Sequence, residues 1–209
     1  MEARGALLSI IDDKEQPAIV RASALSRLGR WLTPGTLPKV TSSLNDADPI
    51  VRLAAVEVLS NMPIETRQQY LPRMLQDPVR AIRVSAAHAL AGPAEAGLRG
   101  TDRAAFDRGI EEYIAVQTYN ADRPEGRASL ANLYALRGDA ERAIAEYRKA
   151  IELDPTFVQA YANLADLYRA RGAETESETA LRYAKQLQEL DPENAEYARL
   201  TARIHGGRR

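Results

Sequence analysis

Ser129-Leu130-Ala131-Asn132-Leu133-Tyr134-Ala135-Leu136-Arg137-Gly138 returns 34 residues later as Asn163-Leu164-Ala165-Asp166-Leu167-Tyr168-Arg169-Ala170-Arg171-Gly172. Leu, Ala, Leu, Tyr and Gly keep their places in both copies. Such a fixed period is the mark of stacked supersecondary units. Ala and Gly at fixed positions let helices approach closely, and Tyr and Leu fill the space between them. Asp139, Ala143, Tyr147, Ala150 and Pro155 follow the first copy and read as a second helix and its exit. In the second copy three extra residues fall within 173–179, after which Ala180, Ala184, Leu187 and Pro192 resume the spacing. Upstream, Gly109, Ile110, Glu112 and Tyr113 match Ala143, Ile144, Glu146 and Tyr147 at the same offset. Residues 102–119 are therefore expected to be the second helix of an incomplete unit. Residues 193–205 read as a capping helix, and Gly206-Gly207-Arg208-Arg209 as a frayed tail.

A different period governs the N-terminal half. Val20-Arg21, Val51-Arg52 and Ile82-Arg83 recur every 31 residues, with Ala24, Ala55 and Ala86 and with Leu28, Leu59 and Leu90 in step. Each segment opens near a proline, at Pro17, Pro49 and Pro78, which the first helical turn tolerates. Asp48 and Asp77 precede two of these prolines and are expected to cap helices. Leu53, Val56 and Leu59 fall at the three- and four-residue steps of a buried helix face. Leu37-Pro38-Lys39-Val40 and Leu71-Pro72-Arg73-Met74 are expected to be equivalent first helices. The unit is helix–turn–helix, and it must stack on its neighbours to bury its apolar face.

Residues 93–101, rich in Gly, Ala and Pro, read as a linker between 1–92 and 102–209. Its shortness favours one continuous superhelix over a hinge. The fold class expected is all-α, an α-solenoid of stacked hairpins. Of 209 residues, 45% are apolar and 27% charged, so an ordered core is expected, and the net charge is −1. That balance argues against nucleic-acid binding, which needs a basic excess. The absence of cysteine excludes disulfides, thiol catalysis and covalent haem attachment within this sequence. His88 and His205 alone do not make a metal site. No phosphate loop or hydrolase motif occurs, so no cofactor is expected. The first apolar run, Ala6 to Ile11, is too short to cross a membrane and reads as an amphipathic helix. Membrane insertion is not expected. The compartment stays open: cytoplasmic for want of a signal, periplasmic if the chain is part of an exported protein.

The 31-residue pattern resembles HEAT repeats, in particular the short type also found in phycobilisome lyases. The 34-residue pattern resembles the tetratricopeptide repeat (TPR), with Leu130, Ala131, Tyr134, Gly138, Ala143, Tyr147, Ala150 and Pro155 at the family's positions. Arg127 stands where that family often has Trp. The two in succession, joined through Tyr113 to Glu125, resemble the C-terminal repeat region of bacterial multihaem c-type cytochromes, without the haem motifs. That resemblance implies an assembly module for a redox or periplasmic complex. The TPR resemblance implies a concave groove with Glu125, Ala128, Ser129, Asn132, Gln159, Asn163, Asp166 and Arg169 facing it. Asn132 and Asn163 matter most, because an amide both donates to and accepts from an extended peptide backbone. Ala128 replaces a basic residue of the family's carboxylate-clamp subclass, which sets this chain apart from it.

Other candidates have plainer readings. His88 is expected at the surface or between repeats, not as a general base, because no positioned partner is evident; His205 has no role. Arg21, Arg52 and Arg83 are expected to form a structural ladder, Asp48–Arg52 and Asp77–Arg83. Trp31 is expected to pack between repeats. Tyr113, Tyr119, Tyr134, Tyr147, Tyr161, Tyr168 and Tyr183 are expected to pack rather than stack on bases. The function expected is a non-catalytic scaffold that binds a protein or peptide, monomeric or weakly self-associating. The alternatives are a self-assembling solenoid and a HEAT-like lyase.

Overall fold

A computed structural model of the chain describes residues 2–172, together with 178, 182, 185 and 189. Every regular element among these is helical. The chain divides into two compact units, Met1–Tyr113 and Ile114–Arg209.

The first unit contains α1 (Glu2–Asp12), α2 (Ala18–Leu28), α3 (Leu37–Ser43), α4 (Pro49–Ser60), α5 (Ile64–Tyr70), α6 (Arg80–Leu90) and most of α7 (Gly100–Tyr119). Packing runs α1 on α2, α2 on α4 and α4 on α6. The 31-residue period is the period of burial: Leu28, Leu59 and Leu90 are each 0% exposed, and Ala24, Ala55 and Ala86 are buried beside them. Each leucine so placed contributes about 2 kcal/mol of apolar burial.

The first helices differ from expectation. Leu37–Val40 opens α3, but Leu71 caps the end of α5, and Pro72–Gln76 is a 3-10 turn. Pro72 lacks the N–H needed to continue the α5 hydrogen-bond series. The residues in step are Val40 with Leu71 and Leu44 with Leu75, all buried. Asp48 caps α4, its Oδ1 accepting from Ile50 N at 2.9 Å. Asp77 does not cap α6, whose N-cap is Val79. Asp77 instead accepts from Val79 N at 2.9 Å in the preceding loop, as Asp46 accepts from Asp48 N at 3.0 Å. Asp46 and Asp77 are 31 residues apart, whereas Pro49 and Pro78 are not, so the prolines are a false register mark.

The segment expected as a linker is ordered. Gly92–Gly97 forms a 3-10 turn packed on α5, with Gln68 Nε2 donating to Ala94 O at 2.9 Å. Ala94 and Leu98 are buried. The two units divide later, within α7. α7 approaches α6 closely at Gly109, where a Cβ would lie 2.7 Å from Ala87 Cβ.

In the second unit α8 (Pro124–Leu136) packs on α9 (Ala140–Leu153), and α9 on α10 (Val158–Ala170). Ala128, Ala131, Ala143, Ile144, Tyr147, Ala150, Ala160, Leu164 and Tyr168 form one apolar cluster. Alanines dominate it, so the helices close on one another and the tyrosines fill what remains. Gly126 meets the corner before α8: a Cβ there would lie 2.2 Å from Asn120 O. The helix expected around Ala180, Ala184, Leu187 and Pro192, the cap over 193–205 and the tail lie outside the described residues. The extra residues before that helix are described only at Glu178, which is helical and exposed.

Candidate functional site

α8 and α10 are the first helices of successive hairpins, and the predicted groove residues lie on them. Ser129, Asn132, Asn163 and Asp166 are half-buried, and Glu125, Gln159 and Arg169 are exposed. Ala128 is not among them. It is 4% exposed and packs in the cluster with Ala131 and Tyr147. One residue of offset turns a side chain by about 100° round the helix, which takes Ala128 off the polar row that Ser129 begins.

The structure brings Asn132 and Asn163 together. Tyr147 Oη and Asn163 Nδ2 both donate to Asn132 Oδ1, the latter at 3.3 Å. Two donors on the oxygen fix the amide's orientation. Its Nδ2 makes no hydrogen bond among the described residues and is a pre-positioned donor. Asp166 Oδ1 accepts from Arg169 Nη1 at 2.9 Å along α10. That pair is partly exposed and contributes little stability. The row thus sets two amides side by side on successive hairpins, with a carboxylate and a guanidinium farther along α10.

Behind the row, Arg127 binds three pieces of chain together. Its Nε donates to Ala121 O at 2.8 Å, and its Nη1 pairs with Glu146 Oε2 at 2.9 Å. Burial pushes the Glu146 carboxyl up, but hydrogen bonds from Lys149 and Arg127 outweigh it and hold the pKa below the ordinary value. A polar clamp therefore stands where the TPR family often has an aromatic. Glu112, in step with Glu146, likewise takes Arg83 Nη2 at 2.7 Å. The recurrence of that glutamate is visible in the sequence; its arginine partner is not, because it comes from the preceding helix.

The arginine ladder exists with partners other than those expected. Arg21 pairs with Asp46 at 2.5 Å and Arg52 with Asp77 at 2.8 Å, each reaching the next repeat, and Arg83 reaches Glu112. Each arginine also holds loop carbonyls of its own repeat: Gln16 O, then Asp46 O and Ala47 O, then Asp77 O and Pro78 O. Asp48 is turned to its own helix, its Oδ1 accepting from Ile50 N, while Arg52 Nε and Nη2 reach Asp77. Asp46 shows the electrostatic consequence. Burial raises its pKa, but Arg21, Lys14 and the Asp48 N–H hydrogen-bond its charged form and bring it to about 2. Burial likewise raises the Asp77 pKa, and Arg52 and the Val79 N–H outweigh it to leave a net lowering.

His88 stacks on Tyr113, ring centroids 4.7 Å apart, as an inter-helix packing pair. Burial lowers its pKa. Tyr113, Tyr147 and Tyr168 are buried packing residues, and Tyr119 is exposed. Trp31 does not pack between repeats. It sits in the 3-10 turn Gly29–Trp31 and is 48% exposed. The turn bends the chain off α2 before the next repeat can cover the indole. Among the described residues no three His, Asp or Glu side chains group so as to hold a metal ion. No described helix is long and apolar enough to cross a membrane.

Residues 5–91 match the HEAT repeats family, and residues 131–172 match the TPR repeat family. The chain carries HEAT-like repeats followed by TPR repeats. Comparison with curated proteins gave no match. Among solved structures it is similar to the crystal structure of MamA protein, at 18% identity and TM-score 0.42, covering 92% of this chain and 96% of that one. It is also similar to a thermophilic TPR protein of Thermus thermophilus, at 18% identity and TM-score 0.44, covering 96% of this chain and 98% of that one.

Proposed function

We propose that the chain is a non-catalytic interaction scaffold whose TPR unit binds an extended peptide segment along α8 and α10. The observation that carries this reading is the Asn132 amide. Its oxygen is held by Tyr147 and Asn163, and its Nδ2 is left to donate. An oriented donor loses little freedom on binding and reads backbone rather than side chains. Ser129, Asn163 and Asp166 extend the row, and Glu125, Gln159 and Arg169 border it. TPR repeats in general are interaction modules, which supports a protein partner.

The test is selection from a displayed library of random peptides on the purified chain, followed by affinity measurement on Asn132→Ala/Asn163→Ala. Loss of one amide contact each corresponds to about tenfold or more in Kd for the pair. Equal affinity, in a variant with unchanged circular dichroism, defeats the groove assignment. The narrower role, an assembly module beside a multihaem cytochrome, rests on the sequence resemblance. A haem-attachment motif encoded in the same reading frame or its immediate neighbour is the outcome it requires.

A further inference from the structure

The first unit carries a surface hollow separate from the amide row of the second unit. Ala3, Ala6 and Leu7 of α1 face Arg27, in the last turn of α2, and Arg30 and Trp31 of the following 3-10 turn. Together they enclose an open hollow of about 490 Å³. Its size is that of ligand and peptide-anchor clefts, and its apolar walls carry two cations. Trp31 is the chain's single tryptophan and is half-exposed there.

Many arginines of the first unit are engaged: Arg21, Arg52 and Arg83 in the ladder, Arg67 on Ala89 O, Arg73 on Thr41 O and Arg103 on Asp107. The Arg27 and Arg30 side chains are exposed and have no hydrogen-bond or ion-pair partner among the described residues. Glu57 borders a neighbouring hollow that also touches Arg30, without forming an ion pair. The negative charge that would complement Arg27 and Arg30 is thus not supplied by the described chain. Tryptophan and arginine are also the residue types that most often dominate binding energy at interfaces.

We propose that this hollow docks an acidic peptide segment of a partner protein. An apolar side chain of the peptide packs on Trp31 and Leu7, while flanking carboxylates pair with Arg27 and Arg30. The occupant is a peptide, because the apolar wall needs a hydrophobic side chain and the two guanidiniums need carboxylates beside it. The site lies on the first unit and does not depend on the groove reading.

The experiment uses the full chain and a blocked hexapeptide with two glutamates on each side of a Leu-Phe pair. Fluorescence of Trp31 reports the hollow directly, and anisotropy of a labelled copy of the peptide serves every variant. The expected result is a saturable emission change with the glutamate peptide, weakened by salt. Replacing the glutamates by glutamines, or making Arg27→Gln/Arg30→Gln, should raise Kd about tenfold or more. Both arginines are exposed, so the variant should keep its circular dichroism. No saturable change, equal binding of the glutamine peptide, or an unaffected arginine variant overturns the proposal. So does a concentration-dependent dimer abolished by Trp31→Ala, which would assign the hollow to a second copy.

Discussion

Replacing Asp46 by Ala tests the ladder at its most buried rung. Asp46 accepts Arg21 at 2.5 Å and Lys14 at 2.6 Å, and its side chain is 4% exposed. Its pKa falls from 3.8 to about 2, which corresponds to about 2 kcal/mol of folding stability at neutral pH. Truncation also strands Arg21, 7% exposed, without its carboxylate. Breaking a buried pair in this way costs about 3 kcal/mol or more. Lys14 is 68% exposed, so Lys14→Ala should cost less than about 1 kcal/mol. The assay is urea unfolding followed by circular dichroism from neutral pH into acid. A depressed carboxyl pKa contributes stability that is complete above 3.8 and is lost as pH falls toward 2. The difference between wild type and Asp46→Asn should therefore be flat near neutrality and shrink in that acid window. A cost below about 0.5 kcal/mol, or a difference that ignores pH, would refute the reasoning.

Gly126→Ala should destabilise by about 2 kcal/mol or more, since the new Cβ would sit 2.2 Å from a backbone oxygen. Gly5→Ala, where nothing lies within 4 Å of the new Cβ, should be neutral or stabilising; thermal unfolding of both variants decides it. Gly109→Ala should be harmful alone and largely restored by Ala87→Gly, because a Cβ at 109 would meet Ala87 at 2.7 Å; a double-mutant cycle measures the coupling. Burial lowers the His88 pKa, so the unfolded chain binds its proton more readily and stability should fall as pH drops below 6.5. His88→Phe should remove that part of the slope in pH-dependent urea unfolding.

The repeats are legible because burial has the period of the sequence. Leu28, Leu59 and Leu90 announce the first array, and Tyr134 with Tyr168 the second, before any contact is known. The phase of the loops is harder to read. Pro49 and Pro78 look equivalent and are not, so spacing points Arg52 at Asp48 in place of Asp77. A ladder that joins one repeat to the next cannot be assigned from neighbours in sequence. Trp31 departs from expectation for a related reason: helical periodicity predicts burial only while the helix continues, and a 3-10 turn breaks it at Gly29. The amide row on α8 and α10 is visible as side-chain types. That Tyr147 reaches from α9 to orient Asn132 depends on the close approach the alanines allow, which spacing alone does not specify. Ala128 lies one residue off that row, enough to move a side chain from the polar row to the core.

The groove account is tested most directly by nuclear magnetic resonance of the asparagine side-chain amides during addition of a library-selected peptide. Saturable shifts of the Asn132 and Asn163 NH₂ signals, following the same Kd as the bulk titration, are the predicted result. A peptide that binds while both signals stay still would contradict it.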